Sequence, residues 1–204
     1  MMKFIHSLAA LAAAAALLAG CSSTRIQDYA NTGPQLVPSE FFNGRLCADG
    51  VVKNVSGQVT RHFSARILAS WDATGIGTLD ETFQFNDRPM GDYEKRIWTL
   101  VPDGEGAYLA RANDVPEAGR LEFAGNSVHM NYVLHYKTAD GETVKLTMDD
   151  WMHLVSNRSL MNETRMSKFG FTVGHIVLSI RQAGPADLCL PGNIANPNIE
   201  RISM

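Results

Sequence analysis

Charged residues interrupt faces that are otherwise apolar in four separate segments of this chain. In an extended chain successive side chains point to opposite sides, so residues two apart share a face. In "VTRHFSARILASW", Arg61 falls on the face of Val59, Phe63, Ala65, Ile67 and Trp71. In "TLDETFQF", Glu81 falls with Leu79, Phe83 and Phe85, and in "YEKRIWTL" Arg96 shares a face with Glu94, Trp98 and Leu100. In "TMDDWMHL", Asp150 accompanies Met148, Met152 and Leu154, while Asp149 and Trp151 point the other way. The two aspartates therefore cannot act as one carboxylate pair. An unpaired buried charge costs several kcal/mol, so each of these groups must be paired, hydrated in a cavity or held for a ligand.

Two arrangements satisfy that requirement. One is an internal ion-pair network that fixes strand register and fills the interior. The other is a small apolar cavity in which a few fixed polar groups orient a ligand's head group. Arginines there suit a carboxylate or phosphate, which they grip with two parallel hydrogen bonds. A hairpin through "NDRPMGD" that faces Arg96 toward Glu81 would make them a cross-strand pair. Arg61, Arg96 and Arg165 are the expected partners of Asp150. Trp71, Trp98 and Trp151 read first as core fillers. Glu81 or Asp150 could serve as general acid or base if burial tunes them, which defines an enzymatic alternative.

Other chemistries find no support in the spacing. Of the 6 histidines, only His129 and His135 share a strand face, about 20 Å apart at strand rise, too far for one metal. No H-E-x-x-H, H-x-x-E-H or C-x-x-C spacing occurs, so no metal site is expected. There is no G-x-S-x-G nucleophile elbow and no glycine-rich phosphate loop before a helix, so no cofactor is expected either. The formal net charge is -3, with no basic patch, which argues against nucleic acid as a partner.

The N-terminus carries a different chemistry. A short basic start precedes an apolar Ala/Leu run, Leu8 to Ala19, too short to span a bilayer and built like a secretory signal. It ends in Leu18-Ala19-Gly20-Cys21, which resembles the bacterial lipobox, in which the cysteine is lipidated and becomes the new N-terminus. Acyl chains on Cys21 would anchor the protein to a membrane without spanning it. Ser22 at the next position implies sorting to the outer membrane, with the domain facing the periplasm. Cys47 and Cys189 remain, near the two ends of the folded region, in an oxidising compartment. They are either bridged, as a closed barrel with adjacent end strands would allow, or two separate buried thiols.

What must position these groups is a meander of strands. Turn signals recur at strand spacing, in "NVSGQ", "DATGIG", "NDRPMGD", "PDGEG", "TADGE" and "SNRS". Between them the segments alternate, most cleanly in "HMNYVLHY", with Met130, Tyr132, Leu134 and Tyr136 on one face. This predicts about nine strands from Phe41 to Arg181, with one short helical turn around Pro38 to Phe42. An antiparallel sheet of that size curls and closes to remove its edges. The expected fold is all-β, an antiparallel meander closing into a lipocalin-like barrel, with a two-sheet sandwich as the alternative. The expected divisions are a signal peptide over 1–20, a lipidated tether over 21–39, the barrel over 40–183 and an irregular tail over 184–204.

The motifs "DYANTGPQLVPSEFFNGRLCADGVV", "LDETFQFND" with "KRIWTL", "YLARANDV", "GN" at Gly125-Asn126, "DDWMHL" and "MSKFGFTVG" occur in this order. Together they resemble the bacterial lipoprotein family catalogued as domain of unknown function 3833. The resemblance covers nearly all of the chain from Cys21 to about Gln182. It implies a periplasm-facing lipoprotein with a lipocalin-like barrel and no established activity. Carried over by position, it marks Phe42, Gly44, Glu81, Arg96, Trp98, Asp114, Asp149, Asp150, Trp151, Lys168 and Gly170. The family pattern has a glycine soon after the aspartate-valine step, where this chain has Pro116-Glu117, and an arginine after the asparagine, where it has Glu163. Arg165, two residues on, keeps the strand face of that missing arginine. Residues and resemblance together point to Arg61, Glu81, Arg96, Trp98, Asp114, Asp150 and Arg165 around a lipid- or fatty-acid-like amphiphile. The alternative functions are a filled-barrel structural or interaction module of the envelope and a lipid-modifying enzyme.

Overall fold

Every one of the six polar turn segments proves to be a place where the chain reverses. A computed structural model describes residues 24–138 and 140–191. The signal segment 1–20, Cys21 and the tail from 192 onward lie outside the described residues. Ten strands follow one another: β1 Gly44–Asn54, β2 Val59–Trp71, β3 Gly77–Phe85, β4 Glu94–Pro102, β5 Ala107–Ala112, β6 Val115–Ala124, β7 Ser127–Lys137, β8 Thr143–Ser156, β9 Ser159–Lys168 and β10 Phe171–Gln182. Each pairs antiparallel with its sequence neighbours, and β10 returns to β1, so the sheet is a closed barrel without a free edge. Closure rests on nine register pairs, from Leu46↔Gln182 to Asn54↔Gly174. The count exceeds the expected nine strands because three further turns are only two residues long: Asn113-Asp114, Gly125-Asn126 and Phe169-Gly170.

Alternation then divides inside from outside. Ala65, Ile67, Leu79, Leu100, Met130, Leu134, Met148 and Leu160 are buried in the interior cluster, and their odd-numbered or even-numbered neighbours form the outer wall. One end is sealed by the helical turn α1, Pro38–Phe41, whose Phe41 and following Phe42 are both buried. The Trp71 indole N–H donates to the Phe42 carbonyl at 2.6 Å, and Gln182 Nε2 donates to the Phe41 carbonyl at 3.3 Å. These bonds tie the plug to the ends of β2 and β10.

The segments on either side of the barrel, the expected tether and the start of the irregular tail, are laid along its wall. The N-terminal stretch forms a 3-10 turn, Ile26–Tyr29, and buries Ile26 and Leu36. Its Thr32 hydroxyl reaches Asn126 at 2.6 Å, and Tyr29 packs against the rings of Trp151 and His153. Gly125, at φ 55°, permits this contact: a Cβ there would lie 1.8 Å from the Tyr29 carbonyl. The single apolar residues Ile26 and Leu36 within a polar run explain the docking, since each removes a side chain from water. After β10 the chain crosses back over β1. Ala183 N–H donates to the Arg45 carbonyl at 2.9 Å, Arg45 Nη2 donates to the Gly184 carbonyl at 2.6 Å, and Cys189 is disulfide-bonded to outward-facing Cys47.

Candidate functional site

A cavity of about 370 Å³ occupies the barrel, running from Pro38 and Phe42 at the plugged end to Arg61, Phe85, Glu94 and Tyr136 at the other. Its walls are mainly aliphatic and aromatic, with a polar belt at mid-height. β3 and β4 pair so that Glu81 lies directly opposite Arg96, the register anticipated from the sequence. Arg96, however, spends its hydrogen bonds elsewhere. Nε donates to both Asp114 carboxylate oxygens at 2.9 and 3.0 Å, and Nη2 donates to Oδ2 at 2.7 Å. Asp114 can reach this point because the β5–β6 hairpin is short: Ala112 pairs with Trp98 halfway along β4, so the turn sits at the level of the belt.

Glu81 accepts a hydrogen bond from the Trp98 side chain, and Trp98 meets the Tyr132 ring edge-on at 5.3 Å. Asp150, from β8, is buried and accepts from Asn162 Nδ2 and, at 2.9 Å, from the Thr164 hydroxyl. Its direct partners are thus neutral groups on β9, not the arginines expected. Alternation explains why Arg165 is absent: Thr164 faces in, so Arg165 faces out, where Nη2 bonds Asp149 Oδ2 at 2.5 Å. Arg61 lies at the rim, stacked on Phe85 at 3.8 Å and hydrogen-bonded to Asp87 Oδ1 at 2.9 Å. Of the seven residues singled out, the structure gathers Glu81, Arg96, Trp98, Asp114 and Asp150 in the belt, leaves Arg61 at the mouth and puts Arg165 outside.

The belt's charges do not balance. Arg96 and Asp114 neutralise each other, which leaves two carboxyl groups, Glu81 and Asp150, without a bonded cation. Burial therefore raises Glu81 to about 7, against the lowering effect of Arg96, with Asp114 and Asp150 raising it further. Burial likewise raises Asp150 to about 6, although Asn162, Thr164 and Arg96 favour its charged form. Desolvation holds the Tyr132 phenol well above its ordinary range, so it is a hydroxyl donor at all physiological pH. Desolvation alone would lower Arg96, but the Asp114 carboxylate bonded to it and the nearby Glu81 oppose this, and the guanidinium stays charged. The Arg96 side chain is 22% accessible while deep within the barrel, so that exposure is to the cavity. Sequence reasoning missed Asn162, Thr164 and Tyr132 as polar members of the belt. Each lies on the inward face of a segment with Asp150 as cross-strand or same-face neighbour, and Asp150↔Thr164 register would have flagged the pair.

The arrangement has a pH consequence. A carboxyl whose folded pKa exceeds its unfolded value stabilises the fold at low pH, and that stability is lost as pH rises toward the folded pKa. Stability should therefore fall from about pH 4.5 to 7 by roughly 2 kcal/mol on account of Glu81, allowing for water in the cavity. Glu81→Gln should flatten that slope and be the more stable protein at pH 8. Chemical denaturation at three pH values checks this; a glutamine variant with an unchanged slope counts against the assignment.

Residues 15–182 match the family model described as "Protein of unknown function (DUF3833)". The chain belongs to this family. No curated protein sequence matches the chain. Among solved structures, an S-type phycobiliprotein lyase from Guillardia theta superposes with TM-score 0.53 at 11% identity, covering 79% of this chain and 99% of that one. Rv2717c from M. tuberculosis gives TM-score 0.49 at 12% identity over 76% of this chain and 100% of that one. At such identity the first likeness speaks for the fold alone, a lipocalin-like barrel. Glu81, Arg96, Trp98, Asp114 and Asp150, which lie in four separate segments of the sequence, are brought together by this barrel in its polar belt.

Proposed function

We propose that this protein binds a small amphiphile inside the barrel, and that Cys21 anchors it by lipid to the outer membrane with the barrel in the periplasm. The observation that carries the binding reading is the cavity itself: a filled structural barrel would have no such space, whereas about 370 Å³ falls within the range of small-ligand sites. The apolar walls accommodate a hydrocarbon body. The belt offers a head group two carboxyls poised between protonation states, the Tyr132 hydroxyl and a charged but paired Arg96. A hydroxyl, amine or protonated acid suits this belt better than a strongly anionic group, which would have to displace Asp114 from Arg96. The lipobox-like Leu18-Ala19-Gly20-Cys21 supports the anchoring.

The test is native mass spectrometry and organic extraction of tag-free protein, followed by titration with long-chain fatty acids, fatty amines and fatty alcohols. A co-purifying or saturably bound amphiphile is expected, displaced from a variant with Met130→Trp, which projects into the cavity. Protein that is empty and binds none of the three series overturns the reading. A second reading, catalysis on the bound amphiphile, is favoured by one observation: Glu81 raised to about 7, where a general acid or base works best. Turnover lost in Glu81→Gln with binding retained would establish it.

A further inference from the structure

The two sides of the cavity mouth differ in character. Beside β2, β3 and β4 the rim is a network of ion pairs: Arg61 with Asp87, and Arg88 with Asp92 and Glu94. On the adjoining stretch, where the β9–β10 and β1–β2 hairpins meet across the β1–β10 seam, the rim is apolar. Phe169 is 90% exposed, Phe171 77% and Val55 70%, and Val59 and Val173 are exposed beside them. These two hairpins are neighbours because Asn54 pairs with Gly174. Segments 53–60 and 166–174 contain no acidic residue and carry Lys53 and Lys168. The Lys168 ammonium sits 5.4 Å from the centre of the Phe169 ring.

Phe169 is the decisive residue, because nothing in the fold asks for it. Lys168 pairs with Phe171, so Phe169 and Gly170 are the two central residues of a tight hairpin turn, with φ of 52° and 82°. Such a turn favours asparagine then glycine, since both positions are left-handed. A bulky aromatic there is strained, and its ring is held in water. The position trades turn preference and burial for an aromatic ring at the tip of the molecule. A protein partner surface would leave the absence of carboxylates unexplained; a headgroup layer with negative charge matches both the lysines and the rings, which sit at the apolar–polar boundary.

We propose that the tips of the β9–β10 and β1–β2 hairpins dock on an anionic phospholipid bilayer, with Phe169 and Phe171 entering the interface and Lys53 and Lys168 meeting the headgroups. The mouth of the cavity then opens beside the membrane surface. Docking does not require an occupied cavity, so its failure and the failure of the amphiphile reading are separate results.

The chain from Ser22 onward retains every described residue and lacks the lipidation site, which makes it the protein to test. It is mixed with vesicles of phosphatidylcholine alone and of phosphatidylcholine with about a quarter phosphatidylglycerol, and the bound fraction is read by sedimentation. Binding to the anionic vesicles, weakened by about 0.5 M salt, is expected. Phe169→Asn should weaken it about tenfold or more, the loss expected from one inserted phenylalanine. The same variant should keep or raise the melting temperature, because asparagine suits the turn, so loss of binding cannot be laid to misfolding. Lys168→Gln should reduce binding to anionic vesicles only. The proposal is overturned if the parent protein ignores both vesicle types, if Phe169→Asn binds as well as the parent, or if the parent is a dimer in solution that Phe169→Asn converts to monomers.

Discussion

Replacing Arg96 with methionine should cost about 4 kcal/mol of stability at pH 8 and distinctly less at pH 5. The size follows from what the guanidinium does in the barrel. It holds Asp114 with three contacts of 2.7 to 3.0 Å and faces Glu81 across the strand pair. Methionine fills similar length without charge, so the change isolates the electrostatic part. It leaves Asp114 as an unpaired, partly buried carboxylate at the β5–β6 turn, and leaves Glu81 and Asp150 with no cation in the belt. Breaking one partner of a buried pair costs about 3 to 5 kcal/mol, and water in the cavity keeps the figure from the top of that range. The pH sense is set by Glu81 and Asp150, already raised to about 7 and about 6. Losing Arg96 removes an interaction that favours their charged forms, so both rise further. Stability is then retained at low pH, where the groups are protonated, and lost more steeply as pH climbs through neutrality. Urea denaturation at pH 5 and 8 measures it. A loss equal at both pH values would mean that packing, not charge, is what Arg96 supplies. The double replacement Arg96→Met with Asp114→Asn should recover part of the loss, because it removes the stranded carboxylate.

How much of this belt could be read from sequence depended on the distance over which each fact is decided. Face assignment is local, and alternation put Glu81, Arg96, Trp98 and Asp150 on the mainly apolar faces of their strands, but apolar residues on both faces of several strands left open which face turns inward. The Glu81↔Arg96 register needed only one hairpin. Asp114 is different: it sits in a two-residue turn without glycine or proline, and its role depends on β5 being six residues long, so that the turn stops beside Arg96. Only the family resemblance marked it. Asp150 shows the limit of reasoning from charge. The sequence holds three arginines that could serve it, but the β8–β9 register presents Asn162 and Thr164 instead. The tenth strand was missed for a related reason. The turns at Asn113-Asp114, Gly125-Asn126 and Phe169-Gly170 are too short to look like loops, although Phe169-Gly170 carries the glycine that a left-handed second position requires. The docked N-terminal strap was hidden because two buried residues, Ile26 and Leu36, do not make a periodic pattern.

The largest single loss is expected from the double replacement Cys47→Ala, Cys189→Ala, at about 5 kcal/mol, or a fall of roughly 10 to 20 °C in Tm. The bridge joins residues 142 apart. In the unfolded chain such a cross-link forbids most of the extended conformations, and the loss of loop-closure entropy for that length sets the figure. The native barrel gains little else from the bridge. β1 and β10 are already joined by nine register pairs, so closure of the sheet survives its removal. What does not survive is the crossing segment after β10. Besides the bridge, its contacts include Arg45 bonding the Gly184 and Pro185 carbonyls, the Ala183 amide bonding the Arg45 carbonyl and an Arg181–Asp187 pair at 2.8 Å, 42% and 34% exposed. An exposed pair of that kind contributes little. The variant should therefore keep a barrel's far-ultraviolet circular dichroism while residues 183 to 191 become cleavable by protease and the outer face of β1 around position 47 is uncovered. Alkylation of the unreduced, denatured parent protein gives the complementary reading, since a bridged protein takes up no label at Cys47 or Cys189. Two labelled thiols, or a variant within about 1 kcal/mol of the parent, would mean that the hydrogen-bonded seam alone carries the closure.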